Sequence, residues 1–146
     1  MKDFRIAVEI HAPPGRVWPV LLDVARWPEW TPTVTSVHRL DPGPLAVGSR
    51  TRLVQPKLEP AVWKVTELDE LAHNFTWAVR GIGISVTARH QVEWFKNGTC
   101  ATLSLKYSGL IGRIMARQLR DLNWDYLAAE AEGLKRHCEL QELLSL

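Results

Sequence analysis

The sequence predicts an α+β fold: one antiparallel sheet of seven strands, covered on one face by a long C-terminal helix, with two short helices after the first strand. Three observations predict it. Apolar and polar residues alternate in successive runs between Phe4 and Ser108. Prolines confine the early helical pattern to a few turns. From Leu110 onward, apolar residues recur at three- and four-residue steps.

The first strand is read from Phe4, Ile6, Val8 and Ile10, which alternate with Arg5, Ala7, Glu9 and His11. Ala12-Pro13-Pro14 ends it. Proline fits the first turn of a helix, where its missing N–H has no intrahelical partner, so a helix over 14–23 follows, with Val17, Trp18, Leu21 and Leu22 as its apolar stripe. A second helical turn over 24–27 is kept short by Pro28 and Pro32. Strands are then predicted over 33–40, 47–55, 61–68 and 74–80, separated by Asp41-Pro42-Gly43-Pro44, by Pro56 and by the turn around 69–73. Asn97-Gly98 suits a tight type I′ turn and joins strands over 84–95 and 99–108. Gly109 and Gly112 precede a final helix over 110–139, roughly 45 Å long at 1.5 Å per residue. Its apolar positions are Ile111, Met115, Leu119, Leu122, Tyr126, Leu134 and Cys138, with one gap near Glu130.

Composition narrows the function classes. The 146 residues fit a single domain spanning 1–146, and a hydrophobic share of 46% with 23% charged residues is that of a chain that buries a core. A net charge of +2 from scattered Lys and Arg leaves no basic stripe for nucleic acid. Asp3, Arg5 and Glu9 interrupt any secretory leader, and no stretch has the roughly 20 apolar residues that span a bilayer, so a cytoplasmic protein without stable membrane insertion is expected. Cys100 and Cys138 lie on different elements and read as free buried thiols. The Asn-x-Thr triplets at Asn74 and Asn97 read as chance without a leader.

Chemistry-bearing motifs are sparse. There is no His-x-His, H-E-x-x-H or paired C-x-x-C, so neither a metal nor another cofactor is expected. No G-x-S-x-G elbow appears, and Gly81-Ile82-Gly83 is too short for a phosphate loop. Arg113, Arg117 and Arg120 form a basic run on the final helix, read as solvated surface with an anionic partner as the alternative.

Several segments together carry a family resemblance. They are Ala12-Pro-Pro-Gly-Arg-Val-Trp-Pro-Val-Leu-Leu-Asp23, Arg26-Trp-Pro-Glu-Trp30, residues 44–49, Trp63-Lys-Val-Thr-Glu-Leu68, Phe75-Thr-Trp77, and residues 102–109 before the long helix. This pattern resembles the START-like (SRPBCC, Bet v 1-like) superfamily, in particular its polyketide cyclase/dehydrase and lipid-transport branch. The resemblance covers essentially the whole chain. It implies a helix-grip fold whose curved sheet wraps the C-terminal helix around a cavity, and it marks framework rather than catalytic residues.

If that cavity exists, strand parity and helix spacing put Trp63, Phe75, Trp77, His90, Trp94, Tyr107, Met115, Leu119, Leu122 and Tyr126 around a hydrophobic or aromatic small molecule. Trp18, Trp27 and Trp30 read as packing around the first helices. His90 shares parity with Val86, Ala88, Val92 and Trp94, so it faces inward, either as a satisfied core histidine or as a general base. A binding protein is the leading expectation. The alternative is a polyketide cyclase/aromatase or dehydratase in which His90 moves protons, Tyr107 donates a hydroxyl and Arg52 meets an oxyanion. A third reading, a module acting through its surface, would be favoured by a collapsed cavity, and a homodimer would point the same way. Turn-forming sequence at 41–48, 80–84 and 108–112 marks candidate access points.

Overall fold

The computed structural model describes residues 2–146. The chain runs through β1 (Lys2–Ile10), α1 (Pro14–Leu22), a 3-10 segment (Val24–Glu29), β2 (Ser36–Arg39), β3 (Arg50–Val54), β4 (Ala61–Asp69), β5 (Asn74–Gly81), β6 (Ile84–Phe95), β7 (Gly98–Ser108), α2 (Leu110–Gln118) and α3 (Arg120–Leu144). All neighbouring strands pair antiparallel in the order β1-β7-β6-β5-β4-β3-β2, so the first strand closes against the last and β2 forms the other edge. A register shift between Val65 and Glu67 marks an irregularity where β4 meets β5.

The alternation that predicts each strand also assigns its inner face. Phe4 and Ile10 of β1, Trp63 and Val65 of β4, and Ala101, Leu103 and Tyr107 of β7 are all buried. Proline opens α1 as expected, at Pro14. The core has two parts. One gathers Trp18, Leu21, Val24 and Trp27 with Phe75, Trp77 and Val92 of the sheet and with Leu134 and Cys138 of α3. The other joins Phe4, Leu103 and Tyr107 to Ala116, Leu127 and Ala131.

Three expectations change. The strands predicted over 33–40 and 47–55 shrink to β2 and β3. Thr31, Thr33 and Val34 are buried instead, with the Thr31 and Thr33 hydroxyls 2.9 Å apart, and Ser49 Oγ accepts from the Ala46 N–H at 3.0 Å in a turn. The single final helix is broken at Leu119 (φ −99, ψ 14), and α3 then runs 25 residues to Leu144, roughly 37 Å. Its buried stripe is Asn123, Leu127, Ala131, Leu134 and Cys138, while Ile111 is exposed and Met115, Leu119, Leu122 and Tyr126 are half-buried. The gap near Glu130 arises because the stripe has moved to Ala131.

Glycines fasten α2 and α3 to the sheet layer. A Cβ on Gly133 would lie 1.9 Å from the Trp30 carbonyl oxygen, so α3 presses directly on the backbone after the 3-10 segment. At the β7–α2 corner Gly109 adopts φ +87, and the N–H groups of Ile111 and Gly112 donate to the Gly83 carbonyl at 2.9 and 3.3 Å. Cys138 is buried and Cys100 half-buried, both as free thiols, and burial pushes the Cys138 thiol up to about 12. No helix among the described residues is long and apolar enough to cross a membrane.

Candidate functional site

A cavity of about 70 Å³ lies between the sheet and α3. Trp63 and Trp77 of adjacent strands form one wall, their ring centroids 5.7 Å apart and 34° from parallel, and Trp27 meets Trp77 at 5.2 Å. Opposite Trp77 in the register stands Ala88, whose small side chain leaves the room that a larger residue would fill. Leu53, Leu103 and Leu127 complete the apolar lining.

Several polar side chains line this space. His90 stacks on Phe75 with centroids 4.2 Å apart and planes 13° from parallel, and Trp27 and Trp77 flank it at 5.4 and 5.9 Å. Its Nδ1 lies 3.4 Å from the Phe75 carbonyl, which can only accept, so Nδ1 carries the proton and Nε2 keeps its lone pair. Burial lowers the pKa of His90 to about 4, only partly opposed by that carbonyl, and the ring is neutral at pH 7. The Tyr107 hydroxyl donates to Asn123 Oδ1 at 3.2 Å and accepts from its Nδ2 at 3.1 Å. Burial raises the Tyr107 pKa against the pull of Asn123. Glu130 of α3 keeps partial exposure as a residue, yet burial of its carboxyl pushes the pKa up to about 7, with Thr33 offsetting part of the rise.

The Trp63 indole also lines the cavity. Its ring is more than nine-tenths buried and its Nε1 has no acceptor among the described residues. Trp27 Nε1 donates to the Leu21 carbonyl at 3.0 Å and Trp18 Nε1 to Glu70 at 2.9 Å, whereas Trp30 Nε1, outside this lining, is likewise buried without an acceptor. A strap lies beside the cavity: the Tyr126 hydroxyl donates to the Pro56 carbonyl, between lining residues Gln55 and Leu58.

Of the residues expected at a site, the structure brings together Trp63, Trp77, His90, Tyr107 and Tyr126. Phe75 is fully buried behind His90 rather than on the wall. Trp94 is 68% exposed, although it shares the inward parity of Ala88, His90 and Val92. Met115, Leu119 and Leu122 fall outside the lining, since the break at Leu119 lets α3 turn Asn123, Tyr126, Leu127 and Glu130 inward instead. Arg52 lies on the exposed face of β3, paired across to His38 and Val62, and cannot meet an oxyanion in the cavity. Trp27, Asn123 and Glu130 are among the contributors that pattern reading missed, as are Leu53, Leu103 and Leu127. The polar break in the apolar stripe at Glu130 was the signal for one of them.

A larger concavity lies elsewhere, an open trough of about 510 Å³ between α1 and the end of α3. Its walls are charged and largely pair with one another or their neighbours, as in Arg16–Glu142 at 2.6 Å and Arg26–Glu29 at 2.8 Å. It offers no aromatic wall beyond Trp30. Among the described residues no cluster of three or more His, Cys, Asp or Glu side chains is placed to hold a metal ion.

Residues 1–139 match the family described as polyketide cyclase / dehydrase and lipid transport. No curated protein matches the chain. Among solved structures it is similar to the di-domain ARO/CYC BexL from the BE-7585A biosynthetic pathway, with 19% identity and TM-score 0.72 over 96% of this chain and 47% of that one. The chain thus spans about half the length of that protein. It is also similar to a point mutant of norcoclaurine synthase from Thalictrum flavum in complex with a transition-state analogue, with 15% identity and TM-score 0.76 over 97% and 96% of the two chains. Major latex-like protein 151 from Panax ginseng gives 16% identity and TM-score 0.71 over 94% and 95%. At these identities the likeness establishes the helix-grip fold and nothing finer.

Proposed function

We propose that this chain, which belongs to the polyketide cyclase/dehydrase and lipid transport family, binds a flat hydrophobic or aromatic small molecule bearing an oxygen acceptor in the cavity between sheet and α3. The observation that carries this reading is the buried, unpartnered Trp63 Nε1 on an indole that lines the cavity beside Trp27 and Trp77. A buried donor left without an acceptor costs about 1–3 kcal/mol, which a ligand carbonyl or phenol oxygen would recover. The indole faces of Trp27, Trp63 and Trp77 supply rigid contact area for a planar ring system.

Magnitude sets a condition on binding. Small-molecule pockets commonly hold about 300–1,000 Å³, and the cavity here is about 70 Å³. The mouth must therefore open, and the strap from Tyr126 to Pro56 is the contact that parts. A collapsed cavity was the condition that favoured a surface module. The orphaned donor is what keeps the cavity reading ahead.

The test is a pair of planar rings that differ in oxygen, anthraquinone and anthracene, titrated against tryptophan fluorescence. Anthraquinone is expected to bind about five- to tenfold more tightly, and Trp63→Phe, which keeps the ring and removes the donor, is expected to abolish that preference. The reading fails if neither these compounds nor a panel of lipids binds more tightly than about 1 mM, roughly −4 kcal/mol.

A second reading, cyclisation or dehydration of a poly-β-ketone chain, rests on His90 and Glu130 lining one cavity, the carboxyl with a pKa near 7, although the lowered pKa of His90, about 4, makes it a weak base. His90 Nε2 would take a proton from an activated carbon and Glu130 would supply one to a carbonyl oxygen. Under that reading His90→Gln binds the chain and turns over none, and undiminished turnover by the variant rules it out.

A further inference from the structure

Helix α2 is built inside out. It rests its small residues, Gly112 and Ala116, on the sheet, with Gly112 against Ile84 and the Tyr107 backbone, and turns large aliphatics to solvent. Leu110 is 74% exposed, Ile114 50%, and Ile111 is exposed beside them. At a 100° step per residue, positions 110, 111 and 114 share the outward face. Ile82, 96% exposed, adjoins them at the tip of the β5–β6 turn, where Gly83 touches Ile111. The result is an apolar patch spanning two elements; other exposed hydrophobics include Trp94 and Phe95 at the β6–β7 turn and Leu140, Leu143 and Leu144 near the end of α3.

The charge around the patch has one sign. Arg113 and Arg117 lie on α2, which carries no acidic residue, and Arg80 precedes the β5–β6 turn, all of them exposed. Asp121, the nearest acid in the chain beyond α2, is paired with Arg120 at 3.6 Å. A second copy seated on this patch would set arginines against arginines with no acid from α2 between them. Aliphatic side chains ringed by arginine instead match a surface that is apolar below and anionic above.

We propose that α2 and the β5–β6 turn dock the protein on the headgroup layer of an anionic phospholipid bilayer. Ile82, Leu110, Ile111 and Ile114 enter the acyl boundary while Arg80, Arg113 and Arg117 meet lipid phosphates. The docked surface belongs to the β7–α2 corner, directly after Tyr107 of the cavity wall, so a ligand leaving or reaching the bilayer would pass at that end of the sheet. Docking does not depend on which ligand the cavity holds.

Co-sedimentation with vesicles tests it. The full chain is expected to pellet with equimolar phosphatidylcholine and phosphatidylserine, to stay in solution with phosphatidylcholine alone, and to be released as salt rises. Two double variants, Leu110→Ser with Ile114→Ser and Arg113→Glu with Arg117→Glu, are each expected to reduce partitioning about tenfold or more. All four positions are exposed, and unchanged circular-dichroism melts would show that the fold is intact. The proposal is overturned if the wild-type chain ignores the anionic vesicles, or if both variants pellet as it does. A dimer in sedimentation velocity that the Leu110/Ile114 variant dissociates would overturn it in favour of a second copy. Anthraquinone binding, measured in the same variants, separates failure here from failure of the cavity reading.

Discussion

His90 and Glu130 face one cavity from opposite sides, and the same burial moves their protonation in opposite directions. The consequences for stability have opposite signs. His90 falls from 6.5 to about 4, so below 6.5 the unfolded chain takes a proton that the folded one refuses, and stability is lost as pH falls toward 4. Glu130 rises from 4.5 to about 7, so its folded form keeps a proton that the unfolded one releases, and stability is lost as pH rises from 4.5 to 7. Each slope approaches about 1.4 kcal/mol per pH unit, and the partial exposure of Glu130 makes its contribution the smaller. The two nearly cancel between pH 4.5 and 6.5. Relative to wild type, His90→Gln should therefore lose stability on raising pH through that window, and Glu130→Gln should lose it on lowering pH. Urea midpoints at several pH values check this, and parallel profiles for all three proteins would contradict it. Parity along the strands sufficed to place Trp63, Trp77, His90 and Tyr107. It could not place Asn123 or Glu130, because polar residues on a helix enter an apolar-stripe count only as interruptions.

At the scale of the element, the decisive feature is the break at Leu119. Periodicity at three and four residues continues across it, so nothing in the pattern separates one helix of 30 residues from α2 and α3. The break frees α2 to pack against β6 and β7, held by the Gly83 carbonyl at its N-terminus, while α3 is pinned at Gly133 against Trp30. Such a division lets one end of the helical layer move while the other stays packed. Residues 108–115 were among the expected access points, and the inverted packing of α2 on small side chains suits a segment that opens at low cost. Hydrogen exchange with saturating anthraquinone should show added protection over 108–115 if α2 gates the cavity. Equal exchange with and without the compound would leave the β7–α2 corner as a plain connection.

For the whole molecule, the sheet and α3 enclose two core regions with the cavity at their junction, lined from the first by Trp77 and from the second by Tyr107 and Leu127. The sequence by itself determined the order of elements, the inner face of every long strand, the proline-opened α1 and the hairpin at Asn97-Gly98. Each of these depends on neighbours within a few positions, through side-chain period or backbone turn preference, and such information is local. The tertiary structure alone decided which inward residues meet a void and which meet each other. Trp94 and Val92 have the same parity, yet one is exposed and the other buried, which no local pattern distinguishes. Trp63 and Trp18 are both buried indoles, and only the position of Glu70, distant in the chain, satisfies one donor and leaves the other free. Ile111 and Leu134 belong to one apolar repeat, yet one ends in solvent beside an arginine and the other in the core, because helix rotation is set by what the opposite surface can accommodate.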